Sequence, residues 1–167
     1  MKERSVQIRR VKPEEMLALW GCRDIDQAAP TARFFYDSIS SGNAVFWSLD
    51  REGELIGELY AFLDLPDKDF ADGEHIAYLC AFRVKEEYRG RGFGSKLLAT
   101  VLAELKKSGF EKATIGVGCD EPQNIRLYRR FGFGTKVKDC HYDPCGMDEN
   151  MQPLYEETAW WLLSKEL

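Results

Sequence analysis

The segment from Arg89 to Ser95 has the residue types and spacing of a loop that binds phosphate. It reads Arg-Gly-Arg-Gly-Phe-Gly-Ser and joins an apolar run that ends at Val84 to an amphipathic run that begins at Gly94. Glycines let backbone N–H groups approach an anion closely, and N–H groups at the start of a helix have no acceptor inside the helix. The segment therefore predicts a site for a phosphate-containing ligand, with a glycine-rich surface connector as the alternative.

Two common phosphate-binding patterns fit this segment poorly. A Walker loop requires Gly-Lys-Ser/Thr, whereas this chain has the order Gly94-Ser95-Lys96. A dinucleotide-binding fingerprint requires a glycine where Ser95 stands and a turn directly after the strand, but four residues separate Val84 from Arg89. The segment itself leaves the identity of the phosphate ligand open.

Hydrophobic periodicity and turn residues predict the elements that position this loop. The apolar run His75–Val84 predicts a strand buried on both faces, and Gly94–Ser108 predicts a helix with one apolar face. Segments Pro66–Gly73 and His141–Tyr155 are turn-rich and are expected to be loops. Further strands are predicted over Gln7–Val11, Ala44–Leu49, Glu54–Leu63, Lys112–Val117, Thr135–Cys140 and Glu157–Leu163, and further helices over Pro13–Trp20, Thr31–Ile39 and Asn124–Phe131. This order predicts an α/β fold with a mixed sheet.

Length and composition fit one domain over residues 1–167, because 167 residues with 44% hydrophobic content can bury a core. The sequence has no apolar run of the roughly 18 residues that cross a membrane, and its charged start lacks a signal-peptide stretch. We therefore expect a cytoplasmic protein without a membrane partner. The five cysteines are expected to be reduced thiols, and Cys140, His141 and Cys145 are too few for a structural zinc site, so no metal is expected.

Charge is divided unevenly along the chain, whose formal net charge is −5. From residue 82 to residue 138 there are thirteen Lys and Arg residues against six Asp and Glu residues, and the rest of the chain is acidic. This division favours an anionic ligand on one side and a cationic ligand on the other, with a random imbalance as the alternative. Nucleic acid is not expected as a partner, because its binding domains are normally basic overall.

Two motifs resemble those of the GCN5-related N-acetyltransferases. Val84–Gly94 (VKEEYRGRGFG) resembles the Arg/Gln-x-x-Gly-x-Gly/Ala acyl-CoA motif, and Leu127–Phe133 (LYRRFGF) resembles the family's second signature. The order and spacing of the predicted elements are also similar over essentially the whole chain. The resemblance implies the acyl-CoA N-acyltransferase fold, an α/β (α+β) arrangement with a mixed central sheet flanked by helices. It further implies acetyl transfer from acetyl-CoA to a primary amine by direct attack in a bisubstrate complex, without a metal.

The same resemblance implies which residues bind coenzyme A. Its pyrophosphate would lie on the backbone of Arg89, Gly90, Arg91, Gly92, Phe93, Gly94 and Ser95. The pantetheine arm would pair with the backbone of Phe82, Arg83 and Val84. Family members often carry Asn seven residues before the Leu-Tyr tyrosine, where this chain has Glu121. Asn124 shares a helix face with Tyr128 and could substitute for that Asn, while Glu121 could cap the helix.

Tyr128 matches the general acid of the family. A neutral amine attacks the thioester, and a phenol within hydrogen-bond reach of the sulfur can protonate the leaving thiolate. The alternative is that Tyr128 is only a core aromatic. An amine with a pKa near about 10 must first lose a proton; Glu74 is our candidate for the catalytic base, with His75 and Glu58 as other candidates. A surface charge is the alternative for each, and Cys119 as a nucleophile is the alternative to direct transfer.

The acceptor surface is implied by the resemblance to involve residues 20–36 and 141–155. Both segments carry acidic and aromatic residues. They favour a small-molecule or peptide amine that is cationic, such as a polyamine, an aminoglycoside or a lysine side chain, with a solvated acidic face as the alternative. Two other functions stay open, a non-catalytic acyl-CoA-binding or regulatory module and an acyltransferase that uses a longer acyl-CoA. Both a monomer and a homodimer through the last strands are compatible with the sequence.

Overall fold

The computed structural model describes residues 5–167, in which seven strands form one mixed sheet. The strands are β1 (Val6–Arg10), β2 (Ala44–Arg51), β3 (Glu54–Phe62), β4 (Ile76–Val84), β5 (Lys112–Gly118), β6 (Thr135–Met147) and β7 (Pro153–Glu166). Their order across the sheet is β1-β2-β3-β4-β5-β7-β6. Only β4 and β5 are parallel neighbours, and every other neighbouring pair is antiparallel. The predicted mixed α/β sheet is confirmed.

Four α-helices cover the two faces of this sheet. They are α1 (Pro13–Leu19), α2 (Pro30–Ser40), α3 (Phe93–Lys107) and α4 (Pro122–Arg130). Three of them have proline in the first turn, where its fixed φ favours the helix and its missing N–H costs nothing. Side chains of α3 and α4 belong to one buried apolar cluster, and those of α1 and α2 belong to a second. None of the helices within the described residues is long and apolar enough to cross a membrane.

Strand β3 shows how the sheet separates the two clusters. Successive side chains of a strand point to opposite faces. Leu59 and Ala61 accordingly pack in the α3 and α4 cluster, while Tyr60 and Phe62 pack in the α1 and α2 cluster. Because both faces are covered, β3 is buried from Ile56 to its end.

The prediction of a loop over residues 141–155 is wrong. Strands β6 and β7 continue through most of this segment and are joined by a turn in which the Asp148 carboxylate accepts the N–H groups of Asn150 and Gln152. The turn-rich residues Pro144–Gly146 do not end β6. They form a bulge, because the pairing with β7 shifts register between Asp143 and Met147. The predicted loop over 66–73 is confirmed, since only one isolated bridge lies in that stretch.

Strands β4 and β5 pair only over their first four residues. The last pair is Leu79 with Ile115, and beyond it the two strands separate. On its other side β4 carries a bulge, because Ala81 and Phe82 lie opposite the single residue Leu59. Ala81 has a φ of 51°, and a left-handed backbone costs a non-glycine residue roughly 1–2 kcal/mol.

Substitutions of Ala81 test this backbone conformation. Ala81→Val should lower the free energy of unfolding by about 2 kcal/mol, because a β-branched side chain tolerates a left-handed φ poorly. Ala81→Gly should leave the free energy of unfolding within about 1 kcal/mol of the parent value, because glycine adopts this φ without a steric cost. Urea denaturation measures both variants. Equal destabilisation by valine and glycine would contradict a left-handed residue at this position.

Candidate active site

The separation of β4 and β5 opens a cleft of about 970 Å³ beside the carboxyl ends of the two strands. Backbone from Leu79 to Arg83 forms one wall, and backbone from Ile115 to Gly118 forms the other. Several side chains that line the cleft could take part in binding or reaction, namely Trp20, Cys80, Glu121, Asn124, Tyr128, Asp143 and Glu156. The cleft therefore combines exposed strand backbone with a phenol and several carboxylates.

The glycine-rich loop follows β4 and presents a row of unpaired backbone donors. In the described part of the chain, the amide N–H groups from Gly90 to Ser95 have no acceptor. Gly90 has a φ of 77° and Gly92, which precedes α3, has a φ of 81°, a region that glycine adopts without strain. These donors and the positive end of the α3 dipole make the loop an anion site.

Arginine side chains surround this loop. Arg89 Nε donates to the carbonyl oxygen of Val84 at 2.8 Å, which ties the loop to the end of β4. The guanidinium groups of Arg91 and Arg51 lie over the ring of Tyr88, 5.6 and 5.3 Å from its centroid. Arg51 belongs to β2 and was missed by sequence reasoning, because only the folding of the sheet brings it to the loop. The loop is strongly cationic.

Close packing holds α3 against β4. A Cβ atom at Gly94 would lie 3.3 Å from the ring of Phe82, so the absence of a side chain allows the helix to approach the strand. Phe82 and Arg83 line the cleft, whereas Val84 does not line it and instead binds Arg89 through its carbonyl. The sequence-predicted cofactor residues are thus contiguous, from the cleft wall to the loop.

Tyr128 lies on α4 with its ring buried against Phe133, and it also lines the cleft. Within residues 5–167 its hydroxyl makes no hydrogen bond, so the phenol is available to a bound molecule. Burial, and then the negative charge of Glu121, raises the pKa of Tyr128 to about 12. The phenol therefore keeps its proton throughout the physiological pH range.

The residues before Tyr128 form a small polar cluster. Glu121 stands at the N-cap position of α4, but its side chain makes no capping hydrogen bond. Glu121 accepts the N–H of Gly118 at 2.7 Å, and the side-chain amide of Asn124 donates to Glu121 at 3.4 Å. Asn124 and Tyr128 are one turn apart and both line the cleft, as the predicted shared helix face requires. Glu121 thus fixes the connection between β5 and α4.

The structure does not bring Glu74 to the cleft. Glu74 lies two residues before β4, in a turn where the Asp72 carboxylate accepts its N–H, and its exposed side chain is 3.6 Å from His75. Ala81 lies seven positions after Glu74, which corresponds to roughly 20 Å along a strand. The physical reason is strand direction, because Glu74 precedes β4 whereas the cleft lies at the other end of the strand. Neither Glu74 nor His75 lines the cleft.

Glu58 is the carboxylate that is buried beside the cleft. One of its oxygens accepts from two guanidinium nitrogens of Arg83, with Nε at 2.7 Å. The other accepts the Trp20 indole N–H at 3.1 Å and the Tyr60 hydroxyl at 3.0 Å. Because both oxygens already accept two hydrogen bonds, Glu58 is suited to hold Arg83 and Trp20 in position rather than to take up a proton.

The opposite side of the cleft is built by α2, the β6 bulge and β7. Thr31 Oγ1 accepts the N–H of Met147 at 3.0 Å, which joins α2 to the end of the bulge. Trp160 lies over β5, where any side chain at Gly116 would collide with the indole ring. Cys119 is exposed, and its thiol donates to the carbonyl of Ala159 at 3.2 Å.

The cysteine and histidine residues of β6 do not form a metal cluster. Cys140 and Cys145 are buried, while His141 is exposed and stacks on Tyr155. Among the residues that the structure describes, no group of three or more His, Cys, Asp or Glu side chains could hold a metal ion.

Comparison with known sequences gives one family match and several relatives. The model of the acetyltransferase (GNAT) family matches residues 13–133. The spermine/spermidine N(1)-acetyltransferase of Bacillus subtilis is 35% identical over 86 residues, 49% of this chain and 54% of that protein. N-acetyltransferase 8 of Rattus norvegicus is 28% identical over 112 residues, 67% of this chain and 47% of that protein. The chain thus spans about half the length of these curated relatives.

Solved structures with the same fold cover nearly the whole chain. NAA60 of Arabidopsis thaliana in complex with acetyl-CoA has a TM-score of 0.68 at 23% identity, covering 98% of this chain and 99% of that one. A GNAT family acetyltransferase of Elizabethkingia anophelis with acetyl-CoA bound has a TM-score of 0.65 at 19% identity, covering 99% and 100%. At this identity the likeness concerns the fold, and it confirms the expected acyl-CoA N-acyltransferase fold.

Proposed function

Because this chain belongs to the GNAT family of acetyltransferases, we propose that it transfers the acetyl group of acetyl-CoA to a primary amine. One observation carries the proposal, namely that a protonated phenol without a hydrogen-bond partner lines the same cleft as the unpaired backbone of β4. A module that only bound coenzyme A would have no need of a proton donor there.

Coenzyme A would be held by backbone and by cations. Its pyrophosphate would accept the free N–H groups from Gly90 to Ser95, with Arg89 and Arg91 adding charge. Its pantetheine arm would pair with β4 at Phe82 and Arg83, where β5 has separated and left backbone groups available. Asn124, on the cleft side of α4, would contact the arm near its thiol end.

The chemical step would be direct transfer. The neutral amine nitrogen attacks the thioester carbonyl carbon, a C–N bond forms, and the tetrahedral intermediate collapses as the C–S bond breaks. The leaving sulfur takes the proton of the Tyr128 hydroxyl, and the ammonium proton that the intermediate carries is lost to water, which reprotonates the tyrosine. Glu58 would orient Arg83 and Trp20 at one wall of the cleft, and Glu74 has no part in this mechanism.

The acceptor would be a cationic amine. Asp143 and Glu156 line the acceptor side of the cleft, and the carboxylate of Glu156 has no partner in the described part of the chain. Carboxylates attract ammonium groups and raise their local concentration. Relatives support an amine acceptor by their names, which include a spermine/spermidine N(1)-acetyltransferase and an N-alpha-acetyltransferase.

The glycine-rich loop can be tested with Arg89→Glu. This change should raise the KM for acetyl-CoA at least about tenfold, because it places a negative charge beside the pyrophosphate. S-acetylpantetheine, which lacks the phosphates, should lose far less activity. Lys107→Glu, at the far end of α3 and about 20 Å away, is the matched control and should leave KM unchanged. Equal effects of the two variants would refute a pyrophosphate site at this loop.

The role of Tyr128 can be tested with Tyr128→Phe. We expect kcat to fall about a hundredfold, the usual size of a general-acid contribution, while the affinity for coenzyme A stays the same. Lys107→Glu is again the control, because Lys107 lies at the far end of α3 and does not line the cleft. Thiol release and calorimetric binding of coenzyme A measure the two effects.

The pH profile of the parent protein gives a second test of Tyr128. Activity should rise with pH as the amine loses its proton, without a fall between about pH 9 and pH 11. The pKa of Tyr128 is raised to about 12, so the phenol stays protonated over this range. A decline in kcat with a midpoint near about 10, the usual tyrosine pKa, would contradict its assignment.

A further inference from the structure

The last hairpin projects beyond the rest of the sheet. Strand β5 pairs with β7 only up to Gly118 and Trp160, so β7 from residue 153 to residue 159 has β6 on one edge and no strand on the other. We call residues 140–159 the β6–β7 arm. Its free edge carries unpaired backbone donors and acceptors, and such an edge is a template for another strand.

The β7 part of the arm is unusually open for a strand. Every residue from Pro153 to Thr158 is exposed, so this part of β7 is uncovered on both faces, whereas residues Pro144 to Met147 of β6 are buried. Leu154 is 41% exposed and Tyr155 is 75% exposed, and because neighbouring residues of a strand point to opposite faces, each face has one apolar side chain next to the free edge. Glu156, in the centre of this edge segment, also lines the cleft, so the free edge leads directly to the proposed active site.

The charge of the arm defines what it can bind. From residue 139 to residue 164 the chain has six acidic residues and no Lys or Arg. Glu156 and Glu157 lie side by side in the middle of the free edge. Pairing with a second copy of β7 about this centre would set glutamates opposite each other, and like charges directly opposite are destabilising. The free edge of β7 therefore disfavours pairing with a second copy of β7 and favours a cationic strand.

We propose that the free edge of β7 binds an extended, lysine- or arginine-rich segment of a polypeptide as an added strand, and that this polypeptide is the acetyl acceptor. Strand addition gives affinity through backbone hydrogen bonds and selectivity through alternate side chains. Leu154 and Glu156 lie on one face of β7 and Tyr155 and Glu157 on the other, so on each face a basic side chain of the added strand can lie beside a glutamate and an apolar side chain beside Leu154 or Tyr155. A polyamine could neutralise the carboxylates, but it would leave the edge backbone and the apolar surface unused. This inference rests on the proposed function.

Binding should be measured first, on the full chain saturated with coenzyme A. The probe is a ten-residue peptide with a free amino terminus in which pairs of lysines alternate with pairs of valines, so that each face carries both residue types. The comparison peptide has glutamate in place of lysine. The lysine peptide should bind at least tenfold more tightly than the glutamate peptide. Single backbone N-methyl groups, introduced one position at a time, should weaken binding up to about tenfold at every second position, because each removes one N–H donor.

Variants of the arm provide the complementary test. Glu156→Gln combined with Glu157→Gln should raise the Kd of the lysine peptide about tenfold at low ionic strength and less at high salt, because surface charges are screened. Glu166→Gln is the matched control, since Glu166 is exposed on the same strand but lies in the part that β5 pairs. That control should bind the peptide like the parent protein.

Turnover separates this inference from the proposed function. If the lysine peptide is acetylated, and N-methylation at every second position lowers its acetylation, both the proposed function and the peptide acceptor are supported. Acetylation of spermine but not of any peptide would uphold the proposed function and overturn the peptide acceptor. If acetyl-CoA binds and no amine is acetylated, the proposed function fails. A uniform N-methyl scan or equal binding of the two peptides would overturn strand addition whatever the activity.

Discussion

The separation of β4 from β5 is the constraint on which the candidate site depends. The parallel pairing ends at Leu79 and Ile115, and the Ala81 bulge turns the end of β4 away. This divergence determines where the groups proposed for cofactor binding and proton transfer lie. The glycine-rich loop continues from the end of β4, and α4 with Tyr128 follows the end of β5. The end of β4 therefore leads to a loop with unpaired backbone donors, and the end of β5 leads to the Tyr128 phenol, which lines the cleft between them.

A buried carboxylate keeps one wall of this cleft in place. Glu58 connects β3, the end of β4 and the end of α1 through Tyr60, Arg83 and Trp20. In a buried position an unpaired carboxylate is strongly unfavourable, and four donors remove that penalty only when all three partners are in position. The network thus couples the position of Arg83 to the packing of α1. The network also holds this wall of the cleft together, and both oxygens of Glu58 are occupied by its four donors.

Local patterns predicted most of the fold and part of the site. Helix α3 was predicted over 94–108 and lies at Phe93–Lys107, because its apolar face and its glycine boundaries are adjacent in sequence. The prediction of a loop over residues 141–155 failed because Pro144 and Gly146 are residue types typical of turns. The residues that pair with this segment and make it a bulge lie on β7, far away in sequence. Glu74 is close to β4 in sequence, but it precedes the strand, whereas the cleft lies beside the carboxyl end of β4. Arg51 and the Glu58 network depend on contacts across strands, which a single sequence does not encode locally.

The division of charge along the chain becomes a division in space around the cleft. The basic stretch supplies the anion-binding loop, and the acidic stretch supplies the β6–β7 arm. In the proposed reaction an anionic cofactor and a cationic acceptor would be attracted to different regions of the molecule, and each region would repel the other ligand. Acetylation converts an amine that is protonated in water into a neutral amide. The attraction between the acidic arm and the acceptor would therefore weaken once the proposed reaction is complete, so the same electrostatics that favour binding of the acceptor would also favour release of the product.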